Sequence, residues 1–282
     1  MAAAMLETRS EHACFSGTQG FYSHPSSSTG TIMNFSVFVP GAAKSRKVPA
    51  LYYLAGLTCT DETFMVKAGA QKLADELGLM LVACDTSPRG LELPAEHDDW
   101  DFGSGAGFYL DATASPWNKH YRMGSYINAE LPALIEENFP ALAGTKGICG
   151  HSMGGHGALV SALRNPERWQ SVSAFAPISN PVNVPWGQKA FSNYLAAESE
   201  WRAWDASCLM AEKAYPGEIL IDQGDGDQFL ERELHPESLE GAARTSGQQL
   251  RLRRHSGFDH GYYFIQSFID DHLRHHAAVL CN

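Results

Sequence analysis

The sequence lacks any cluster of lysine and arginine, which is the feature that phosphate-rich partners require. Its 282 residues include 21 lysines and arginines against 32 aspartates and glutamates, for a formal net charge of −11. This balance argues against nucleic acid and against an anionic membrane surface as partners. No apolar run approaches the roughly 18 residues of a membrane span, and the N-terminus shows no basic-then-apolar targeting signal. We therefore expect a cytoplasmic protein that does not enter a membrane.

The six cysteines lack the paired spacing of a zinc site or a disulfide framework. They are scattered along the chain, and Cys84 and Cys149 fall in segments that we predict to be buried strands. Reduced thiols are the expected state. A Cys/His ligand cluster is also missing, and the acidic run at 98–101 does not have the spacing of a calcium loop. The sequence thus predicts neither a metal nor an organic cofactor.

Internal repeats and low-complexity linkers are absent too, so residues 1–282 are expected to form a single domain. Short apolar runs alternate with longer helical patterns, which predicts an α/β fold with a mostly parallel central sheet and helices on both faces. The predicted strands are 31–39, 48–55, 79–84, 146–149, 171–177, 218–222 and 249–254. The predicted helices are 61–77, 125–138, 154–164, 229–245 and 262–276. Alternating apolar residues at 31–39 indicate an antiparallel edge strand.

The most informative motif is Gly-His-Ser-Met-Gly at 150–154, between a predicted strand and a predicted helix. This is the arrangement of the nucleophile elbow of serine hydrolases, in which a sharp turn exposes the serine hydroxyl. Side chains two positions before and after the serine would collide in that turn, and Gly150 and Gly154 remove them. Ser152 is therefore the candidate nucleophile. A capping serine in a glycine-rich turn is the alternative interpretation.

Such a serine needs a histidine base and a carboxylate that orients the base, and in this fold they follow in the order Ser, Asp, His. Two late loops, each placed after a predicted strand and before a helix, carry suitable residues. We favour Asp227 and His260. Asp222 and Asp225 stay open as acids, and His255 stays open as the base.

The other histidines have expected roles outside proton transfer. His151 and His156 flank the elbow and do not lie on the loop where a base belongs, so we interpret them as packing or hydrogen-bonding residues. His272, His275 and His276 fall on the last helix, where we expect them to titrate in solvent.

An oxyanion hole needs one N–H from the residue after the nucleophile, which is Met153, and one from a loop after an early central strand. Leu57 follows Gly56 in such a loop and is the second candidate donor. Cys59 lies two residues further on. A bulky adduct on its thiol would obstruct the site, which makes Cys59 a candidate redox-sensitive residue; an inert cysteine is the alternative.

These residues belong to a wider pattern that resembles the S-formylglutathione hydrolase family, also called esterase D, over nearly the whole chain. The matching segments are YLAGLTCT at 53–60, WDFGSGAGFY at 100–109, GHSMGGHGAL at 150–159, WGQKAF at 186–191, DQG at 222–224, DQFL at 227–230 and GFDH at 257–260. The resemblance implies a homodimeric α/β-hydrolase that releases formate from S-formylglutathione in formaldehyde detoxification. It also implies that Ser152, Asp227 and His260 form the triad, with Leu57 and Met153 as oxyanion donors.

A glutathione thioester is a small anionic partner, which the net acidity of this protein repels at long range. Local groups must then recognise it, and we expect lysine or amide contacts together with apolar aromatic walls. The candidates, chosen by position, are Lys67, Gln188 and Lys189 for the polar contacts and Trp100, Tyr109 and Trp186 for the walls. A place in the core is the alternative for each of the three aromatic residues.

Two other functions stay open. A general short-chain carboxylesterase or acyltransferase would use the same triad and would differ in its relative rates on thioesters and oxygen esters. A catalytically inactive hydrolase fold that serves as a binding module would be expected to lack a triad residue, whereas Ser152, Asp227 and His260 are all present.

Overall fold

The computed structural model describes residues 6–281, and within them nine strands form one sheet. The strands are β1 (Glu7–Cys14), β2 (Gly17–Pro25), β3 (Ile32–Val39), β4 (Val48–Leu54), β5 (Met80–Cys84), β6 (Ala141–His151), β7 (Ser171–Phe175), β8 (Ile219–Gly224) and β9 (Leu250–His255). Their order is β1-β2-β3-β5-β4-β6-β7-β8-β9. Strands β4 to β9 pair in parallel, which confirms the mostly parallel sheet.

The first three strands form an antiparallel extension of this sheet. Strand β3 is antiparallel to β5, as predicted, but it is not an edge strand, because β2 and β1 continue the sheet beyond it. Strand β1 is mostly exposed and its sequence, ETRSEHAC, is almost entirely polar. Without apolar alternation, the sequence carried no signal for this strand.

The helices are α1 (Asp61–Lys67), α2 (Gln71–Leu77), α3 (Met123–Ser125), α4 (Leu131–Asn138), α5 (Met153–Arg164), α6 (Pro185–Tyr194), α7 (Ala206–Glu212), α8 (Pro236–Ser246) and α9 (Tyr262–Leu280). A π-helical segment, Tyr126–Glu130, joins α3 to α4. Helices cover both faces of the sheet. Helix α9 forms hydrogen bonds with Ser171 and Ser173 of β7 on one face, and α5 packs on the other face, to which the alternate residues of β7 point. None of the helices within residues 6–281 has both the length and the apolarity needed to cross a bilayer.

Two of the predicted helices are interrupted, and each break has a local cause. The helix predicted over 61–77 breaks between α1 and α2 at Gly69, whose φ of 68° is not helical. The helix predicted over 229–245 breaks at His235, whose φ is 46°, and α8 begins at Pro236. Proline at the first helical position cannot donate the backbone bond that would continue the preceding turn.

The histidines of α9 are buried, so the expectation that they titrate in solvent is wrong. His272 Nδ1 lies 2.8 Å from Ser173 Oγ, and His276 is within hydrogen-bond distance of Ser173 Oγ at 2.8 Å and Ser171 Oγ at 2.6 Å. The side chain of His275 is only 7% exposed. Burial lowers the pKa of all three imidazoles. The polar face of α9 can pack on the sheet because the hydroxyls of Ser171 and Ser173 form hydrogen bonds with the buried His272 and His276 rings.

Candidate active site

The candidate nucleophile occupies a strained turn at the end of β6. Ser152 has φ 58° and ψ −120°, a conformation that residues other than glycine rarely adopt. Its N–H donates to Phe175 O at 2.9 Å, and its carbonyl accepts from His156 N–H at 3.0 Å in the first turn of α5. These bonds hold the turn, so the serine hydroxyl is presented by a fixed backbone.

The two flanking glycines allow this turn for a steric reason. A Cβ at Gly150 would lie 2.2 Å from the carbonyl oxygen of Gly154, and a Cβ at Gly154 would lie 2.0 Å from Leu54 O. Both contacts involve backbone, which has no room to give way. The glycine requirement read from the motif thus has a structural cause.

His260 and Asp227 form a close pair beside this serine. Asp227 Oδ2 lies 2.5 Å from His260 Nδ1, and Asp227 Oδ1 accepts the N–H of Phe229 at 2.8 Å. A carboxylate only accepts hydrogen bonds, so the imidazole proton is assigned to Nδ1, and Nε2 is left with a free lone pair. Ser152 and His260 line the same cavity, with Asp227 buried behind the histidine.

The alternative acid and base lie elsewhere and contact each other. Asp222 accepts from Arg253 at 2.6 and 2.5 Å and lies 3.3 Å from both His272 Nε2 and His255 Nε2. Burial alone would raise the pKa of Asp222, but the hydrogen bonds from His272 and Arg253 hold it well below its usual range. Asp225 is exposed. Asp222, Asp225 and His255 are not among the residues that line the cavity.

The cavity has a volume of about 270 Å³, and one of its sides is a series of aromatic rings. Trp100 packs edge-on against Trp186 with 5.6 Å between ring centroids, Trp186 lies 4.8 Å from Phe229, and Phe229 lies 5.0 Å from His260. Trp100 is 56% exposed and so stands at the mouth of the cavity. The series runs from solvent to the candidate base.

The loop after β4 also lines the cavity and lies next to the elbow. A Cβ at Gly56 would lie 3.2 Å from Ser152 Cβ, so the loop passes close to the nucleophile, and Leu57 lines the cavity. The hydroxyl of Tyr109 donates to Ala55 O at 2.9 Å and holds the start of the loop. Met153 is buried at the first position of α5.

The predicted substrate contacts divide into two groups. Trp100 and Trp186 line the cavity, whereas Tyr109, Gln188 and Lys189 do not, which corrects their expected placement. Tyr109 is buried beneath the loop after β4. Gln188 is exposed and donates to Val182 O, and the Lys189 ammonium is held by two aspartates.

Several residues of the site were assigned no role in it from the sequence. His151, interpreted as a packing or hydrogen-bonding residue, lines the cavity with its ring centroid 4.4 Å from that of His260. Burial lowers its pKa well below the usual range, so it is neutral. Phe229 and Tyr262 also line the cavity. Each is an aromatic residue two positions after a candidate triad residue, which is the signal that could have identified them.

Charge near the cavity comes from Lys67. It lines the cavity, and its ammonium lies 5.8 Å from the centroid of the Tyr262 ring. Cys59 lines the cavity as well, and burial raises the pKa of its thiol. Within residues 6–281, no three His, Cys, Asp or Glu side chains are grouped so that they could hold a metal ion.

In sequence and in fold the chain is similar to known esterases. A family model described as "Putative esterase" matches residues 26–275. The S-formylglutathione hydrolase of Rattus norvegicus is 50% identical over 98% of this chain and 99% of its own length, and that of Paracoccus denitrificans is 52% identical over 97% and 98%. A solved S-formylglutathione hydrolase from Agrobacterium tumefaciens is 48% identical and superposes with a TM-score of 0.95 over 97% of this chain and 99% of that chain. The chain therefore belongs to the esterase family with the α/β-hydrolase fold, and within it to the S-formylglutathione hydrolases.

Proposed function

We propose that this enzyme hydrolyses S-formylglutathione to glutathione and formate, as the names of its relatives indicate, with Ser152, His260 and Asp227 as its triad. The observation that carries the triad assignment is the Asp227–His260 pair, 2.5 Å apart, at a cavity that also exposes the strained Ser152 turn. Nucleophile, base and orienting carboxylate are the set that acyl transfer to a serine requires.

The first half of the reaction forms a formyl-serine. His260 Nε2 takes the Ser152 hydroxyl proton while Oγ attacks the formyl carbon, and Asp227 stays ionised and stabilises the imidazolium. The backbone N–H groups of Leu57 and Met153 donate to the oxyanion as it develops. Removing one such donor typically costs about two to three orders of magnitude in turnover.

The leaving group makes this substrate easier than an oxygen ester. Glutathione leaves as a thiolate whose conjugate acid has a pKa near 8.5, so cleavage of the C–S bond needs little help from a proton. The His260 imidazolium then gives its proton to the departing sulfur and becomes neutral again. In the second half, neutral His260 deprotonates a water that attacks the formyl-serine, and the same proton passes to Ser152 Oγ as formate is released. Neither half calls for chemistry beyond the three side chains and two amides.

Recognition of the glutathione moiety is assigned to the cavity mouth. Lys67 offers the positive charge that a thioester bearing carboxylates needs, and Trp100 and Trp186 offer apolar surface beside the thioester. One extra methylene in an apolar pocket changes selectivity by only about 1–3 kcal/mol. Side activity on small acetate esters is therefore part of the proposal.

We also propose a cytoplasmic homodimer whose chain folds as one domain, 1–282. One sheet and one cluster of buried apolar residues extend through the described part of the chain, which supports the single domain. The dimer rests on the family resemblance. Sedimentation of the purified protein tests it, with a mass near twice that of one chain as the expected result.

The experiment for the reaction is hydrolysis of S-formylglutathione, S-lactoylglutathione and 4-nitrophenyl acetate by the wild type and by Ser152→Ala, following thioester or ester loss directly. Ser45→Ala, which changes an exposed serine, is the matched control. We expect a strong preference for the formyl thioester and a loss of at least about 10⁴-fold in Ser152→Ala only. Faster turnover of the acetate ester would make this a general esterase, and full activity in Ser152→Ala would refute the elbow assignment.

A further inference from the structure

Several side chains of helix α6 hold the loop that carries Trp100, and one of them, Lys189, forms its ionic contact. Lys189 Nζ lies 2.5 Å from Asp101 Oδ1 and 2.8 Å from Asp99 Oδ2, so a single ammonium bridges the two carboxylates on either side of Trp100. The side chains of Lys189 and Asp101 are only 32% and 16% exposed. Partial burial and the second carboxylate distinguish this arrangement from an isolated surface ion pair.

The same helix makes the aromatic contact to this loop. Trp186 precedes Lys189 by three residues, which places both on one side of α6, and its ring packs edge-on against Trp100 at 5.6 Å. The N–H of Trp186 donates to Glu233 at 2.9 Å, which fixes the start of the helix. Helix α6 thus holds residues 99–101 at two neighbouring points, one ionic and one aromatic, and its Tyr194 contacts the loop further along, at Phe102 and Gly103.

Trp100 needs such a support because little else encloses it. It is 56% exposed and is the outermost ring of the aromatic series that leads to His260. An exposed aromatic side chain on an unsupported loop samples several positions and must be ordered when a ligand binds against it. That cost corresponds to roughly two- to tenfold in affinity for one side chain.

We propose that Lys189 is a positioning residue that sets specificity for the large thioester by clamping the loop at 99–101, so that Trp100 stands as a preformed wall for the glutathione moiety. The proposal rests on the proposed function, since it concerns how the same cavity selects its substrate. A small ester bound at the serine does not reach the mouth and gains nothing from the wall. Lys189 therefore acts through Trp100 and does not touch the substrate, in agreement with its place outside the cavity.

Steady-state kinetics of Lys189→Met test the clamp. We expect KM for S-formylglutathione to rise about three- to tenfold with kcat within twofold of the wild type, and kcat/KM for 4-nitrophenyl acetate to stay within twofold. Lys189→Arg, which can still bridge two carboxylates, should behave as the wild type. Lys72→Met, which removes an exposed lysine of α2, is the control for loss of one positive charge.

A double-mutant cycle with Trp100→Ala separates positioning from a structural role, which would also move kcat and the melting temperature. If Lys189 acts through Trp100, adding Lys189→Met to Trp100→Ala should change KM less than twofold. An undiminished effect in that background would overturn the clamp.

Unpaired carboxylates at the mouth are the competing explanation, because Asp98, Asp99 and Asp101 would then repel an anionic thioester. Changing Asp99 and Asp101 to Asn in the Lys189→Met background decides between them. The clamp predicts that KM stays high, and recovery to the wild-type value would refute it. If the wild type is active and Lys189→Met has an unchanged KM, the clamp alone is overturned. If the wild type shows no Ser152-dependent thioester hydrolysis, the proposed function and the clamp are overturned together.

Discussion

Asp222 and Asp227 are five residues apart, and exchanging each for asparagine should have opposite consequences. Asp222 is fully buried and bonds to Arg253 through both carboxylate oxygens, while Asp227 pairs with His260 at the cavity. We expect Asp222→Asn to lower the free energy of unfolding and to keep its turnover within an order of magnitude. Asp227→Asn should fold normally and lose turnover.

The size of each effect follows from the contacts. Removing one partner of a buried ion pair costs about 3–5 kcal/mol, and the low end applies here because Arg253 is 30% exposed and can be rehydrated. For a chain of this length about 3 kcal/mol corresponds to a fall of roughly 6 °C in melting temperature. In Asp227→Asn the amide oxygen can still accept the Phe229 N–H, so stability is kept, but the amide cannot stabilise the imidazolium, and turnover should fall about 10⁴-fold.

Urea denaturation and steady-state hydrolysis of S-formylglutathione measure the two quantities on each variant. The pH dependence is a further check: the pKa of Asp222 is lower in the folded state than the value near 3.9 in the unfolded chain, so its stabilisation is complete above about pH 4 and disappears as the pH falls through the folded-state pKa. The difference between wild type and Asp222→Asn should therefore shrink only in strong acid. Equal loss of turnover in both variants, or unchanged stability in Asp222→Asn, would refute the assignment of roles.

Three further outcomes are expected. Gly154→Ala should lose at least about 100-fold in kcat, since its Cβ would lie 2.0 Å from Leu54 O, and a wild-type rate would show that the elbow tolerates a side chain. The free energy of unfolding should rise between pH 5 and pH 7, because burial lowers the pKa of His151 and His276 in the folded state. Below about pH 6.5 these histidines bind protons in the unfolded chain but not in the folded one, which favours unfolding. Identical urea midpoints at pH 5 and pH 7 would contradict this. A bulky maleimide should inhibit the wild type and spare Cys59→Ser, because Cys59 lines the cavity, and it should react slowly at neutral pH because burial raises the thiol pKa; equal inhibition of both proteins would exclude Cys59 as a sensitive site.

The parallel strands β4 to β8 were predictable because each carries a short apolar run bounded by turn residues, and β9 because Leu250 and Leu252 alternate with arginine. Their observed bounds lie close to the predicted ones, apart from β6. Strand β6 runs from Ala141 to His151, well beyond the predicted 146–149, since five of its first six residues are half-buried or exposed and residues 144–146 carry no apolar side chain. Strand β1 is polar, and among the strands within residues 6–281 it pairs only with β2, so its hydrogen bonds to a neighbour define it and its own pattern does not. Such strands have no local signature.

The sequence by itself determined the elbow motif and the order of the candidate catalytic residues. A serine between Gly150 and Gly154 at a strand-to-helix junction implies a tight turn in which only glycine fits, since a Cβ at Gly150 would lie 2.2 Å from the carbonyl oxygen of Gly154. Turns after two later strands must then supply the acid and the base, since parallel strands all end at one edge of the sheet. These inferences need only local sterics and the direction of the strands.

Only the tertiary structure decided which side chains meet. By sequence position, Asp222 and His255 were also open as the acid and the base. Strand register pairs Asp222 with Arg253, and Asp222 and His255 contact each other outside the lining of the cavity. Lys189 carries the charge expected of a substrate contact, and its two aspartate partners come from a loop about 90 residues earlier. Side-chain direction and long-range partners depend on packing between distant segments, and a single sequence does not state which segments those are.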